Sequence, residues 1–379
     1  MRGFKMFLLL FCFGVGFFCC KKSPEAAYSV ITEVINDIQV VINPNYPRDG
    51  IVQDIFEEEL SIGLEEGPEE YMLNRPFDVK VADDGTICVL DWGDVNIKVY
   101  DKEGTYLRTI GQKGQGPGDF GFLLFFALSS DGRIFVMNPV NRRVTIYNVS
   151  GEYLGGFSFE GSYNYIKVDG QNRIYYSKHT RKTATEELPV TEDYIEIPST
   201  VQIFRNEADG ENQFLLGEFE GEIDRIKRMG AENVMSLSSE FSIVWEVNRE
   251  GLLYEGFNQH YTINVFDQDG KKKLTFGRDY DPVTQVFGDE DNLRKRTMPA
   301  YDPRIGWRFD DEDNLWVSIY SENDGEVIYD VFSPEGIYLK QVILPCRICE
   351  IKKGKVYSIV TTEEGYMTVK RFSLKEIGL

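Results

Sequence analysis

The chain has 379 residues, with 62 acidic against 41 basic side chains and a formal net charge of −21. The acidic balance argues against a nucleic-acid partner, because neutralising phosphates needs clustered Lys and Arg. The two histidines limit His-based catalysis and His-rich metal sites, while the length is enough for one large domain or two ordinary ones.

The N-terminus has the pattern of an export signal. Arg2 and Lys5 precede an apolar run over residues 6–18, which ends in Cys19-Cys20. The run is shorter than the roughly 20 residues that a helix needs to cross a bilayer, and a short apolar core after a positive start is typical of a secretory signal peptide. An apolar segment that stops at a cysteine also resembles a bacterial lipoprotein signal. We therefore expect a signal over residues 1–20 and lipidation of Cys20, with Cys19 lipidation or a plain cleaved signal as alternatives.

Residues 21–50 are expected to form a tether and a short lead-in strand, Gln39 to Ile42, closed by Asn43-Pro44. The remaining residues, 51–379, are expected to form one domain. Within that domain Cys346 and Cys349 have C-x-x-C spacing, but a zinc site needs four ligands and no second pair exists. Their strand-like, apolar surroundings favour buried thiols over a redox pair.

One sequence pattern recurs along this domain. An apolar strand ends in an aromatic residue, and a turn rich in Asp and Gly leads into the next strand. The aromatic anchors are about 54 residues apart on average, and they are Tyr100, Tyr147, Phe204, Phe266, Phe332 and Phe372. Periods of this order, built from four short strands, are typical of β-propellers.

Each anchor strand is preceded by two more strands joined by a turn, as at Phe77 to Leu90 with Asp84-Gly85 between them. Asp-Gly between alternating apolar runs predicts a hairpin, so each unit has strands a, b, c and d. The sixth unit lacks strand d, and the stretch from Phe56 to Gly63 copies the missing strand. We therefore predict an all-β, six-bladed propeller whose ring is closed by this N-terminal strand, which removes exposed sheet edges.

Blade 1 carries the clearest family pattern, in Asn74-Arg75-Pro76-Phe77-Asp78-Val79, Asp84-Gly85, Val89-Leu90-Asp91, Asn96 and Val99-Tyr100-Asp101. These residues resemble an NHL-type repeat. The Gly116-Pro117-Gly118-Asp119-Phe120 segment and the Asn43-Pro44 lead-in resemble the six-bladed β-propeller lipoproteins of bacterial envelopes. The resemblance implies an envelope protein with a lipid anchor. Because Lys21-Lys22-Ser23-Pro24 follows Cys20 without an acidic cluster, we expect the outer membrane, facing the periplasm.

The two faces of such a propeller differ. Strand direction alternates within a blade, so the a–b and c–d turns lie on one face and the b–c and d–a connections on the other. The long insertions, residues 177–200, 221–240 and 278–303, all belong to the second face, and long loops in a compact fold are often functional. We expect the binding surface there. Its candidate residues are Arg75, Trp92, Asn96, Asn138, Asn141, Arg142, His260, Tyr301, Arg304 and Trp307.

These residue types predict recognition, because Arg, Trp and Tyr supply contact area with a polar handle, although each also has an ordinary structural explanation. We expect a scaffold or binding protein for a peptide, a glycan or another envelope protein, with no catalytic residue, metal or cofactor. The alternative is a calcium-dependent hydrolase or lyase of the gluconolactonase or paraoxonase type, with Asp91, Glu246 and Asn258 as oxygen ligands. A third possibility is a purely structural module.

Overall fold

The computed structural model describes residues 28–53, 56–159, 163–181, 195–228, 234–237, 241–287, 294–302, 306–320 and 326–374. Over these residues the chain consists of β-strands and one turn of 3-10 helix, Glu69–Tyr71. Six antiparallel sheets follow one another in chain order, and neighbouring sheets contact each other through their strands a. The predicted six-bladed propeller is confirmed. Cys19, Cys20 and Arg304 lie outside the described residues.

The blades have four strands each, apart from the additions given below. In the order a, b, c, d they are Pro76–Val81, Ile87–Asp91, Asn96–Tyr100 and Tyr106–Ile110 in blade 1; Phe125–Leu128, Arg133–Asn138, Arg143–Asn148 and Tyr153–Ser158 in blade 2; Tyr163–Val168, Ile174–Arg181, Ile195–Asn206 and Phe214–Arg228 in blade 3; Ile243–Val247, Leu253–Phe257, Thr262–Phe266 and Lys272–Arg278 in blade 4; Trp307–Phe309, Leu315–Ile319, Val327–Phe332 and Tyr338–Leu344 in blade 5; and Ile348–Lys352, Lys355–Thr361, Met367–Leu374 and Phe56–Ile62 in blade 6.

Strand d of blade 6 comes from the other end of the chain, as predicted. Ile62 pairs with Val369 and Leu60 with Arg371 in antiparallel register. Ile62 and Val369 are buried in the apolar cluster between blades 6 and 1, and Lys370 Nζ lies 2.8 Å from Glu58 Oε2. The ring is therefore closed by hydrogen bonds, apolar packing and an ion pair.

The lead-in segment adds a hairpin to blade 4. Its strands are Ile31–Ile35 and Ile38–Asn43, and the second pairs in parallel with strand d of blade 4. Asn43 is buried and joins two blades, because its amide donates to the carbonyls of Gly277 and Gly336, each at 2.8 Å, while its Oδ1 accepts the backbone N–H of Tyr338. A further short strand, Ile51–Val52, pairs in parallel with strand d of blade 5.

The long insertions are partly built from strands, which the sequence did not predict. In blade 3 strands b and c continue pairing as far as Arg181 and Ser199, and Val234–Leu237 pairs with the end of strand d. Between blades 4 and 5 a separate hairpin joins Thr284–Phe287 to Arg294–Thr297. The insertions therefore extend the b–c/d–a face with hydrogen-bonded ribbon.

The turns of the opposite face are short and held by their own acidic residues. The Asp101 carboxylate accepts the backbone N–H groups of Glu103 and Thr105 at 3.0 and 2.7 Å. Gly104 follows with φ +85°, a conformation that costs glycine little. The recurrent Asp and Gly of the sequence are thus explained by turn geometry.

Apolar clusters fill the spaces between blades. The repeated aromatic anchors contribute to them, and Tyr100, Tyr147 and Phe332 are buried. The described cysteines are free: Cys88 and Cys349 are buried, and Cys346 donates to the Ser358 hydroxyl at 3.2 Å. Within the described ranges, no helix is long and apolar enough to span a membrane.

Candidate functional site

The connections of blades 1 and 2 bring an arginine and two aromatic rings together on the b–c/d–a face. The guanidinium carbon of Arg75 lies 5.2 Å from the centre of the Trp92 ring, and Phe122 meets Trp92 edge to face at 5.8 Å. Arg75 is exposed and both rings are half-buried. The buried Asp91 carboxylate positions this group, because it accepts the backbone N–H of Arg75 at 2.9 Å. Two of the predicted binding residues, Arg75 and Trp92, therefore act as one unit.

A second aromatic group stands at the start of strands a in blades 2, 3 and 4. The ring centre of Tyr165 is 4.5 Å from that of Phe125 and 6.4 Å from that of Trp245. Tyr165 is 38% exposed and has φ +56° at an irregularity of the a–b pairing. Bulky residues rarely adopt this conformation, which is costly and is found most often at functional sites. No sequence signal singles out Tyr165, since the irregularity depends on pairing with strand b.

Phe77 lies at the start of strand a in blade 1, on the same face as both groups. It packs with Trp92 against the apolar cluster between blades 1 and 2, and the guanidinium carbon of Arg347 lies 5.8 Å from its ring centre. We call the resulting set the aromatic collar. It comprises Arg75, Phe77, Trp92, Phe122, Phe125 and Tyr165.

Two predicted asparagines support the loop below the collar. Asn138 is fully buried, donates to the Asp119 carbonyl at 3.1 Å and accepts the Gly121 N–H at 3.2 Å. Asn141 donates to the Gly114 carbonyl at 3.3 Å. Both side chains hold the glycine-rich d–a connection in place, which positions Phe122.

Tyr301 and Trp307 are core residues in this structure. Both are almost fully buried, and their rings meet at 5.2 Å. Burial raises the pKa of Tyr301 well above its usual value. Within the part of the chain that the structure describes, the Tyr301 hydroxyl, the Trp307 indole N–H and the Asn96 carbonyl oxygen have no hydrogen-bond partner.

The remaining predicted residues are spread over the face. Arg142 is exposed with φ +50°, and its carbonyl accepts the Phe159 N–H at 3.0 Å. His260 is exposed in blade 4, where its ring meets Phe257 at 6.5 Å. These two side chains are not part of the collar.

Ionisable side chains from strands a line the channel below the collar. We call them the charge ring, and they are Asp78, Lys80, Lys167, Glu246, Arg308 and Glu350. Lys80 Nζ lies 3.4 Å from Asp78 and 3.0 Å from Glu350. Lys167 Nζ lies 2.5 Å from Glu246 Oε2, and Arg308 Nη1 lies 4.0 Å from the same oxygen. The sequence did not reveal this set, because its members are spread along the chain, and the ion-paired Lys80 and Glu350 alone are 270 residues apart.

The pKa values of the two lysines of the charge ring are shifted in opposite directions. Burial lowers the pKa of Lys80, but attraction by Asp78 and Glu350 outweighs burial and leaves that pKa raised. Burial also lowers the pKa of Lys167, and here attraction by Glu246 does not compensate, since Arg308 and Lys80 repel the charge. The pKa shifts therefore report different charge balances on two sides of one channel.

The channel narrows at the charge ring and widens toward the a–b turns. The cavity at the ring has a volume of about 160 Å³ and is also lined by Leu128, Val168 and Phe309. The wider mouth, about 760 Å³, shares those three residues and is rimmed by turn residues that include Asp169 and Asp311. A small molecule entering from the a–b face would meet an acidic rim before the charge ring.

The three side chains considered as calcium ligands each have other partners, in separate parts of the fold. Asp91 accepts backbone N–H groups in blade 1, Asn258 accepts the Ser242 N–H at 2.7 Å, and Glu246 pairs with Lys167. Among the described residues, no group of three or more His, Cys, Asp or Glu side chains is placed to hold a metal ion.

Comparisons with known proteins agree with this architecture. Residues 31–218 match the model of the DUF5128 family, described as a 6-bladed beta-propeller. A search of curated protein sequences gave no match to the chain. The chain is a six-bladed β-propeller, and the structure and the family match identify it at this level.

Solved structures with similar folds share little sequence with the chain. An exported protein from Bacteroides fragilis superimposes with a TM-score of 0.50 at 11% identity, over 89% of this chain and 100% of that one. A member of the DUF4221 family from Bacteroides vulgatus gives 0.51 at 10% identity, over 84% and 97%. A gluconolactonase from Xanthomonas campestris gives 0.38 at 13% identity, over 84% and 98%. At these identities the first two similarities show the fold alone.

Proposed function

We propose that the chain is an envelope-anchored binding or scaffold protein that recognises a peptide, a glycan or another envelope protein through the b–c/d–a face. The observation that carries this proposal is the aromatic collar. Arg75 lies over Trp92, and Tyr165 is exposed in a costly backbone conformation beside Phe125. Such a group presents apolar rings and a cation on one face of the propeller.

The physical argument rests on what these side chains gain from a partner. A half-buried Trp that loses its remaining water on binding contributes apolar area, and a ring beside Arg adds roughly 0.5–2 kcal/mol of cation–π attraction. Energetically important interface residues are enriched in Trp, Tyr and Arg for this reason. The fold itself gains little from leaving Tyr165 exposed. Recognition explains both the residue types and their exposure.

The location in the envelope is part of the proposal. Support comes from the export pattern of residues 1–20 and from the apolar run that stops at Cys20. The resemblance of blade 1 to NHL-type repeats and of the lead-in to envelope lipoproteins points the same way. Metabolic labelling with a fatty acid tests the anchor: Cys20→Ser should abolish labelling and Cys19→Ser should retain it.

Site-specific photo-crosslinking in the native envelope tests the binding face. A crosslinking residue is placed at Val140 or Arg142 on the b–c/d–a face, and at Glu103 or Glu312 in exposed turns of the opposite face. We expect a discrete adduct from the first pair and none from the second. An adduct of equal yield from Glu312 would contradict the assignment of the face.

A further inference from the structure

The charge ring is unevenly paired. In blades 3, 4 and 5 one carboxylate, Glu246, serves two cations: Lys167 at 2.5 Å and Arg308 at 4.0 Å. In blades 6 and 1 two carboxylates, Asp78 and Glu350, serve one cation, Lys80, at 3.4 and 3.0 Å. Counted over these contacts, the first group carries one excess positive charge and the second carries one excess negative charge. Arg308 lies between the two groups, because Asp78 and Glu350 also attract it.

Lys167 and Glu246 of the first group face the second group across the channel. The blades follow chain order around the ring, so blade 6 lies opposite blade 3 and blade 1 opposite blade 4. Blade 2 contributes only Ala127 and Leu128 at this level. The charge ring, counted over the described residues, is therefore neutral as a whole and polarised across the channel.

Arg308 is held in an orientation that leaves donors for a ligand. Its Nε donates to the Cys349 carbonyl at 2.7 Å, and its Nη1 donates to the Trp307 carbonyl at 2.6 Å. No acceptor among the described residues is in hydrogen-bond contact with its Nη2, which belongs to the face of the guanidinium fork that binds carboxylates.

We propose that the charge ring binds a small zwitterion carrying one ammonium and one carboxylate group, such as a free amino acid. The carboxylate binds Arg308 and Lys167, and the ammonium binds Glu350, all of which line the cavity. A single anion or cation would satisfy one side and leave the opposite excess charge uncompensated in a partly desolvated site, which is unfavourable. The opposite pKa directions of Lys80 and Lys167 agree with this polarity.

The cavity fits a ligand of this size. Its volume of about 160 Å³ is about five times the share of liquid volume that one water takes, which suits the few non-hydrogen atoms of a small amino acid. The wider a–b mouth, of about 760 Å³, leaves an entry path. This site is separate from the aromatic collar and does not depend on the proposed function.

Calorimetric titration of the full-length protein with glycine, β-alanine and 4-aminobutyrate tests the proposal. Propionate and propylamine, which carry one charge each, are the matched probes. We expect at least one zwitterion to bind about tenfold more tightly than either of them, because both charged ends must be paired. Equal binding of all probes, or no binding of any zwitterion up to about 50 mM, would overturn the proposal.

Variants locate the site. Lys167→Met should weaken binding of the best zwitterion about tenfold, and Glu350→Gln should weaken it by a similar factor, because each removes one charged partner. Lys102→Met, at an exposed turn ion pair, is the control and should bind like the wild type. Circular dichroism verifies folding, and Lys167→Gln replaces any variant that unfolds. Wild-type affinity in both channel variants would overturn the assignment.

Discussion

The two faces of the propeller use the same strands and the same polar residue types for different tasks. At the a–b and c–d turns, carboxylates accept backbone N–H groups of their own hairpin, as Asp101 and Asp310 do. On the b–c/d–a face of blades 1 to 3, Arg75, Trp92 and Tyr165 contact other side chains and remain open to solvent. Carboxylates that accept turn N–H groups stabilise a hairpin, whereas the accessible parts of the Trp92 and Tyr165 rings can contact a partner.

The difference teaches how a repeat fold acquires a binding surface. Each a–b turn must solve the same backbone problem, so its residues are similar from blade to blade and the face stays regular. The b–c and d–a connections only have to span neighbouring strands, so their length and composition vary. Asp91 combines the two roles. Its buried carboxylate accepts backbone N–H groups, as turn carboxylates do, and it lies directly beneath the exposed Arg75 and the half-buried Trp92.

Replacing Asp91 should have the largest effect. We expect Asp91→Ala to lower the free energy of unfolding by about 3 kcal/mol or more, because several backbone N–H groups lose a buried acceptor and the nearby Lys98 charge loses a partner at 3.9 Å. Asp101→Ala in the exposed c–d turn of the same blade should cost only about 1 kcal/mol. Urea denaturation followed by circular dichroism measures both. Equal losses would show that the two faces depend equally on their carboxylates.

Trp92 separates stability from recognition. Because the ring is half-buried, Trp92→Ala should lower the free energy of unfolding by less than about 2 kcal/mol, while partner crosslinking at Arg142 should fall about tenfold. Trp316→Phe removes the indole N–H that donates to Asp310 on the a–b side and is the stability control. It should leave crosslinking unchanged. Loss of crosslinking in both variants would attribute the effect to unfolding.

The turn acids predict a smaller effect of pH. Burial raises the pKa of Asp267, but the Lys273 ion pair and the N–H groups of Lys271 and Asp269 outweigh it, so the folded-state pKa is lowered. A lowered pKa means that the stabilisation is complete above the unfolded value near 4 and is lost as the pH falls through the folded value. Asp267→Asn should therefore flatten the fall in stability below about pH 4, by less than about 1 kcal/mol. Denaturation at pH 7 and pH 3 measures the change, with Glu103→Gln as the control.

The blades and their closure were predictable because their signals are local. Asp-Gly turns and aromatic anchors recur in each unit, and the copied segment at Phe56 to Gly63 marks the missing strand. The pairing of the lead-in hairpin with blade 4 was harder to predict from the sequence, since parallel pairing at a sheet edge carries no turn signal. The charge ring could not be predicted for a related reason, because five blades supply one or two members each and none is unusual alone.

Only the packing between blades shows which of the predicted binding residues are accessible and which are buried. Arg75 and Trp92 meet in the collar, while Tyr301 and Trp307, of similar chemical type, are core. Residue type predicts contact area but not which end of a side chain is exposed. Burial is decided by the neighbouring blade, which lies far away in the sequence.

The last comparison concerns two residues of blade 3 with positive φ. Tyr165 lies near the start of strand a, and Asn172 lies in the turn that follows the strand. Asn172, with φ +65°, tolerates this conformation, and its Oδ1 accepts the N–H and hydroxyl of Ser130 in blade 2 at 3.1 and 2.9 Å. Asn172→Gly should therefore cost about 1 kcal/mol. Tyr165→Gly loses ring contacts worth about 1 kcal/mol and the burial of a partly covered ring, worth about 1–2 kcal/mol, but relieves a strain of about 1–2 kcal/mol. The free energy of unfolding should therefore fall by only about 1 kcal/mol. If Tyr165→Gly also abolishes crosslinking at Arg142, the strained tyrosine serves the partner, whereas a loss of several kcal/mol would make it a structural residue.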